Sequence, residues 1–142
     1  MKSIGAIIVG LVAGSGVNLG LITVGATMIP APTGVDVSDP ASIAQSMHLF
    51  EARHFVFPFL AHAGGTFIGA LCAGFIEANR RRLVTLTVGA LFFAGGIAAS
   101  TMIPAPTAFV VIDLLGAYFP MALAAMWLLN KTAQASSDAS RD

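Results

Sequence analysis

Four uninterrupted apolar runs constrain this chain more than anything else in it. Ile4–Ile29 and Leu83–Ile103 carry no charged residue; Phe55–Ile76 carries one histidine, His62, and Phe109–Leu129 one carboxylate, Asp113. About 20 apolar residues suffice to cross a bilayer as a helix, and each run meets that length. A chain of 142 residues that is 56% hydrophobic and only 10% charged has too little polar surface to cover a water-facing exterior. The reading is an all-α membrane protein. A single domain over residues 1–130 holds four transmembrane helices at about 4–29, 50–77, 83–103 and 108–129. A polar cytoplasmic tail, residues 131–142, is expected to be frayed. Lys2 ahead of the first run invites a signal-peptide reading, but the run is longer than an h-region and ends in a motif that recurs.

That motif is Thr27-Met28-Ile29-Pro30-Ala31-Pro32-Thr33, repeated letter for letter at Thr101–Thr107. Proline removes a donor and clashes with the preceding turn, so each copy ends a helix. Phe57-Pro58 and Phe119-Pro120 correspond in the same way, and that second offset places Glu51 on Asp113. The chain thus reads as a four-helix bundle of two tandem hairpins with pseudo-two-fold symmetry along the membrane normal. Pro58 and Pro120 are expected to kink their helices. Asp39-Pro40 is a helix-start signal in the longer first connection; the helix that follows is either a short surface helix or an extension of the second span.

Basic residues set the orientation. Arg80, Arg81 and Arg82 join the second and third spans, and Lys2 and Lys131 flank the ends, whereas Thr33–Met47 has Asp36 and Asp39 and no Lys or Arg. The positive-inside rule puts both termini in the cytoplasm. Arg80, Arg81 and Arg82, with Glu77, are then headgroup anchors at the lipid bilayer surface. Trp127 is an interfacial ring. Gly10-x-x-x-Gly14, Gly16-x-x-x-Gly20 and Gly65-x-x-x-Gly69 are packing faces within the chain, or alternatively contacts of a homo-oligomer.

The polar candidates cluster at one end. On a continuous helix of about 100° per residue, His48, Glu51, His54 and His62 fall within about a third of the circumference. Asp113 is expected to meet them from the other hairpin. Imidazoles with carboxylates suit a divalent transition metal such as zinc or iron, so His48, Glu51, His54, His62 and Asp113 form a candidate metal set. The competing reading is an ion-pair network in which Arg53 pairs with Glu51 or Asp113. Mid-span Asn18 is expected to make an interhelical hydrogen bond. Glu51-x-x-His54 has the di-iron spacing, but a di-iron enzyme draws on about four carboxylates and two histidines from four helices. Spans one and three have neither, which disfavours an enzyme.

Phe57-Pro58-Phe59-Leu60-Ala61-His62, Gly65-Thr66, Gly69-Ala70, Pro106-Thr107, Asp113 to Tyr118, and Pro120-Met121-Ala122 together resemble small four-span bacterial membrane proteins. The resemblance implies a bacterial inner-membrane location and brings no activity and no catalytic residues. It does not extend to quaternary-ammonium exporters, since span one lacks a membrane glutamate, nor to quinone-linked thiol oxidases, since paired cysteines are missing. The functional expectation is a transporter, channel or transition-metal-binding protein with its site near the outer leaflet. The alternative is a non-catalytic structural or accessory protein that oligomerises or joins a larger complex.

Overall fold

A computed structural model describes residues 1–139, and all of its regular structure is helical among them. The helices are α1 (Lys2–Met28), α2 (Pro40–Ser46), α3 (Val56–Ile76), α4 (Arg81–Met102), α5 (Thr107–Gly116) and α6 (Phe119–Ala139). Four helical segments are long and apolar enough to cross a membrane: Lys2–Met28, Ala52–Ile76, Ala78–Met102 and Thr107–Ala139. The fourth runs past Leu129. Residues 131–139, expected to fray, continue α6 as an exposed helix, while residues 140–142 of the polar tail lie outside the described residues.

The two copies of the repeated motif do the same local work. α1 stops at Met28 and α4 at Met102. Ile29 then donates its N–H to the Gly25 carbonyl, and Ile103 to that of Ala99, each at 2.8 Å. The prolines that follow forbid another turn. Beyond the first copy, Gly34 takes φ +87°, a conformation open to glycine. Asp36 accepts from the Ser38 hydroxyl at 2.6 Å and its N–H at 2.9 Å. Those bonds hold its carboxyl below the usual carboxylate range. Asp39 caps α2 by accepting from the Ala41 N–H at 2.9 Å, with Pro40 in the first turn as its sequence promises.

Neither proline produces the expected kink inside a continuous helix. Pro58 sits in the first turn of α3, where its missing N–H costs nothing. Pro120 instead splits the fourth segment. α5 closes with the Ala117 N–H on the Asp113 carbonyl at 2.9 Å, and α6 starts afresh at Phe119.

Packing centres on α3, which lies against α1, α4 and α6. α4 also packs on α6 and, less extensively, on α1; no comparable packing joins α1 to α6. Chain direction alternates, so α1 and α4 run opposite to α3 and α6. One end of the bundle therefore holds Lys2 and Arg80–Arg82 (the arginine end); the other holds the prolyl motifs and α2 (the loop end).

The α1–α3 seam is a backbone-to-backbone contact. A Cβ on Gly10 would lie 2.5 Å from the Gly69 carbonyl oxygen, and one on Gly69 would lie 2.7 Å from that of Gly10. Gly14 and Gly65 oppose each other in the same reciprocal way. Such approach is what brings helices together where no hydrophobic effect acts between them. Gly16 and Gly20 have open space where a Cβ would stand, so the third glycine pair takes no part in packing within the chain. The core towards the arginine end is small and aliphatic: Ala70, Ala73, Val84, Val88, Ala122 and Ala125.

The arginine end is tied by polar contacts. Arg81 turns inward, its Nε donating to the Gly74 carbonyl at 3.3 Å and a terminal nitrogen to the Leu129 carbonyl at 3.1 Å and Asn130 Oδ1 at 2.9 Å. Glu77, read from sequence as a surface anchor, is buried and accepts from the Ser3 hydroxyl at 3.4 Å. Lys131 lies 5.1 Å over the exposed Trp127 ring.

The seam makes a two-sided prediction. Gly14→Ala should destabilise the protein by about 1–3 kcal/mol, because the methyl meets a carbonyl that cannot move away. Gly20→Ala, on the open face, should be neutral or stabilising by up to about 1 kcal/mol, because alanine loses less backbone entropy. Thermal unfolding in detergent reads both; equal effects would discard the packing account.

Candidate functional site

The five polar residues grouped by sequence part into two sets. The continuous helical wheel fails at Phe50 and Glu51, whose backbones are extended (φ −79°, ψ 129° and φ −98°, ψ 163°). His48 lies in a separate 3-10 turn, Met47–Leu49, and is exposed. Glu51 starts a second such turn, Ala52–Phe55, and His54 closes it: His54 Nδ1 accepts the Glu51 N–H at 2.9 Å. Arg53 pairs with Glu51 at 3.1 Å, both side chains 64% exposed. The Glu-x-x-His spacing is therefore a capping device at a helix entrance. Arg53 reaches Glu51 and not Asp113. Among the described residues no three His, Cys, Asp or Glu side chains converge as metal ligands.

The second set lies deeper. His62 is six residues into α3 and Asp113 six residues into α5, each roughly 9 Å from its helix start at 1.5 Å per residue. The two meet: His62 Nδ1 stands 2.9 Å from both Asp113 oxygens. Asp113 is only 5% exposed. Its Oδ2 also accepts the Tyr118 hydroxyl at 3.0 Å, and Tyr118 is buried at the α5–α6 break. A carboxylate only accepts, so the contact assigns the donated proton to Nδ1, and among the described residues Nε2 has no hydrogen-bond partner. The His62 and Tyr118 rings stack at 5.8 Å and 27°. Among the described residues no buried side-chain nitrogen or oxygen lacks a partner.

Tyr118 and Gly96 are the members that sequence reasoning missed. Tyr118 is the only tyrosine in the chain. It reaches Asp113 because the helix breaks between them. Gly96 on α4 provides the space: a Cβ there would collide with the Tyr118 hydroxyl. A lone tyrosine beside a Pro-interrupted span was the available signal.

The pair sits in the wall of a cavity of about 240 Å³ at the loop end. Its upper lining is apolar, with Ile43 of α2, Met47, Phe50, Phe55 and Phe109 around it; Ser100, His54, His62 and Asp113 supply polar surface, so His54 shares this cavity with the pair without bonding to it. Ile43 is the buried residue of α2, so this short helix covers the cavity. Comparisons with protein-family models, curated proteins and solved structures found no match for this chain.

The two sets should respond differently to substitution. Tyr118→Phe removes a hydrogen bond to a buried charge and should cost about 2 kcal/mol. Glu51→Gln breaks an exposed pair and should stay within about 0.5 kcal/mol. Unfolding midpoints measured side by side check the contrast, which fails if Glu51→Gln is the costlier change.

Proposed function

We propose that this chain is a multi-pass protein of a bacterial inner membrane and that the His62–Asp113 pair serves proton movement across it. Both termini then face the cytoplasm, with Arg80 and Arg82 at the lipid headgroups, because basic residues gather at the arginine end and the Thr33–Met47 connection has none. The loop-end cavity opens to the opposite side.

One observation supports the reading above the others: an imidazole held by its Nδ1 to a buried carboxylate, within spans otherwise apolar, at the wall of a cavity. Ionisable residues inside a membrane are costly, and they mark proton and ion pathways. The chemistry fits a proton exchanger. Asp113 fixes the ring's orientation and tautomer and stabilises the imidazolium when Nε2 gains a proton. Tyr118 keeps the second carboxylate oxygen occupied, so Asp113 stays oriented through the exchange.

A structural role has one observation in its favour: the same bonds clip α3, α5 and the α5–α6 break together. Reconstitution separates the two. In vesicles with an internal pH dye, wild type should dissipate an imposed proton gradient. Asp113→Asn and His62→Gln should fall to the level of protein-free vesicles while retaining helical content. Glu51→Gln should behave as wild type. If folded Asp113→Asn transports as well as wild type, the role is structural.

A further inference from the structure

A second cavity, of about 200 Å³, adjoins the same imidazole. His62, Gly96 and Ala99 line both cavities; Ser15, Asn18, Phe92, Gly95 and Tyr118 complete the second. Ser15 and Gly95 are exposed, so its mouth opens between α1 and α4. Ser15 is 13 residues beyond Lys2 and Gly95 is 14 beyond Arg81. At 1.5 Å per residue the mouth stands roughly 20 Å from the arginine end, about halfway along α1 and two-thirds along α4. Towards that end the way is shut: Phe92 lies over Gly14, and Gly10 meets Gly69 and Val88. Access is sideways, and in a spanning chain that means from the hydrocarbon layer.

The lining does not suit an acyl chain. Among the described residues the Asn18 amide and the Ser15 hydroxyl have no hydrogen-bond partner, in place of the interhelical bond expected for Asn18. His62 is bonded through Nδ1 alone, which leaves Nε2 available. Polar groups at this depth are stabilised by a partner that brings hydrogen-bonding atoms with it. The space has a matching size, since a cavity of about 150 Å³ already holds a benzene ring. Its walls include the aromatic rings of Phe92 and of the stacked His62–Tyr118 pair.

We infer that this cavity binds a lipid-soluble molecule with a single-ring carbonyl or hydroxyl head, of the quinone or phenol class, entering sideways between α1 and α4. The Asn18 amide donates to a ring carbonyl. His62 Nε2 accepts from a ring hydroxyl when neutral and donates to a carbonyl when protonated. The ligand therefore reports on the protonation of the pair that faces the loop-end cavity. The inference rests on the membrane-spanning reading and on the exchangeable Nε2, and it does not require that protons cross the membrane.

The test uses the full chain in detergent, titrated with decylubiquinone and, in parallel, with decane. Decylubiquinone should raise the unfolding midpoint saturably; decane should not. Gly95→Leu should weaken the response about tenfold or more by filling the mouth, without disturbing the fold, because no atom lies within 4 Å of a Cβ there. Asn18→Leu should also weaken it. Gly20→Leu, an equally open glycine outside the cavity, should bind as wild type. Equal stabilisation by decane, an unchanged response in Gly95→Leu, or no saturable response would overturn the proposal. So would a Gly95→Leu protein that changes from dimer to monomer, since a second copy would then be the occupant. Proton flux measured on the same preparations keeps the two readings apart: flux that persists without a quinone response refutes only the ligand.

Discussion

The carbonyl-to-glycine contact between α1 and α3 is the interaction on which the remaining geometry hangs. Gly10 and Gly14 let α1 approach the backbone of α3 at Gly69 and Gly65. That approach fixes the rotation and height of both helices together. Three residues above Gly65 on α3 is His62, and four residues beyond Gly14 on α1 is Asn18. A seam made by side chains could slide or splay to relieve a bad fit. A seam made by backbone cannot, because the colliding atoms belong to rigid helices. The polar groups near mid-bundle thus inherit their positions from residues that have no side chain at all.

The bundle spends its few polar residues in two different ways. At the loop end, Asp39, Glu51, Arg53 and His54 satisfy helix starts and each other while largely exposed, where solvation is cheap and an ion pair contributes little. Inside, His62, Asp113 and Tyr118 are bonded to one another in surroundings where a charge without a partner costs several kcal/mol, on the order of 3–5. Charge scarcity alone does not separate these sets. Burial does, and burial follows from where the prolines stop each helix.

Helix ends were legible in the amino-acid order because proline chemistry is local. Both Thr-Met-Ile-Pro-Ala-Pro-Thr copies end a helix with the same backbone hydrogen bond, and Asp39-Pro40 begins one. Asp113 was legible as a buried group in search of a partner. His62 was among the partners expected for it; that His62 alone of that group would reach it was not legible. A single wheel through residues 48–62 assumes one continuous helix, and extended backbone at Phe50 and Glu51 removes His48, Glu51 and His54 from the face that carries His62. Tyr118 was hidden for the converse reason. Five residues along an unbroken helix it would point away from Asp113, and only the break before Pro120 swings it back.

That break also shapes the surroundings of His62, which lines two cavities. An unbroken fourth helix would satisfy the carbonyls around Gly116 internally and bury Asp113 against its own turns. By stopping α5 at Gly116, the chain places Tyr118 beneath Asp113 and under Gly96 of α4. The tyrosine holds one carboxylate oxygen and stacks on the imidazole. The ring lines both the loop-end cavity and the cavity beside α1. A histidine so placed has its Nδ1 bonded and its Nε2, among the described residues, without a hydrogen-bond partner. Under the proposed function, a lipid-soluble head and a proton would compete for that one nitrogen, and such competition is a direct physical means of coupling the two.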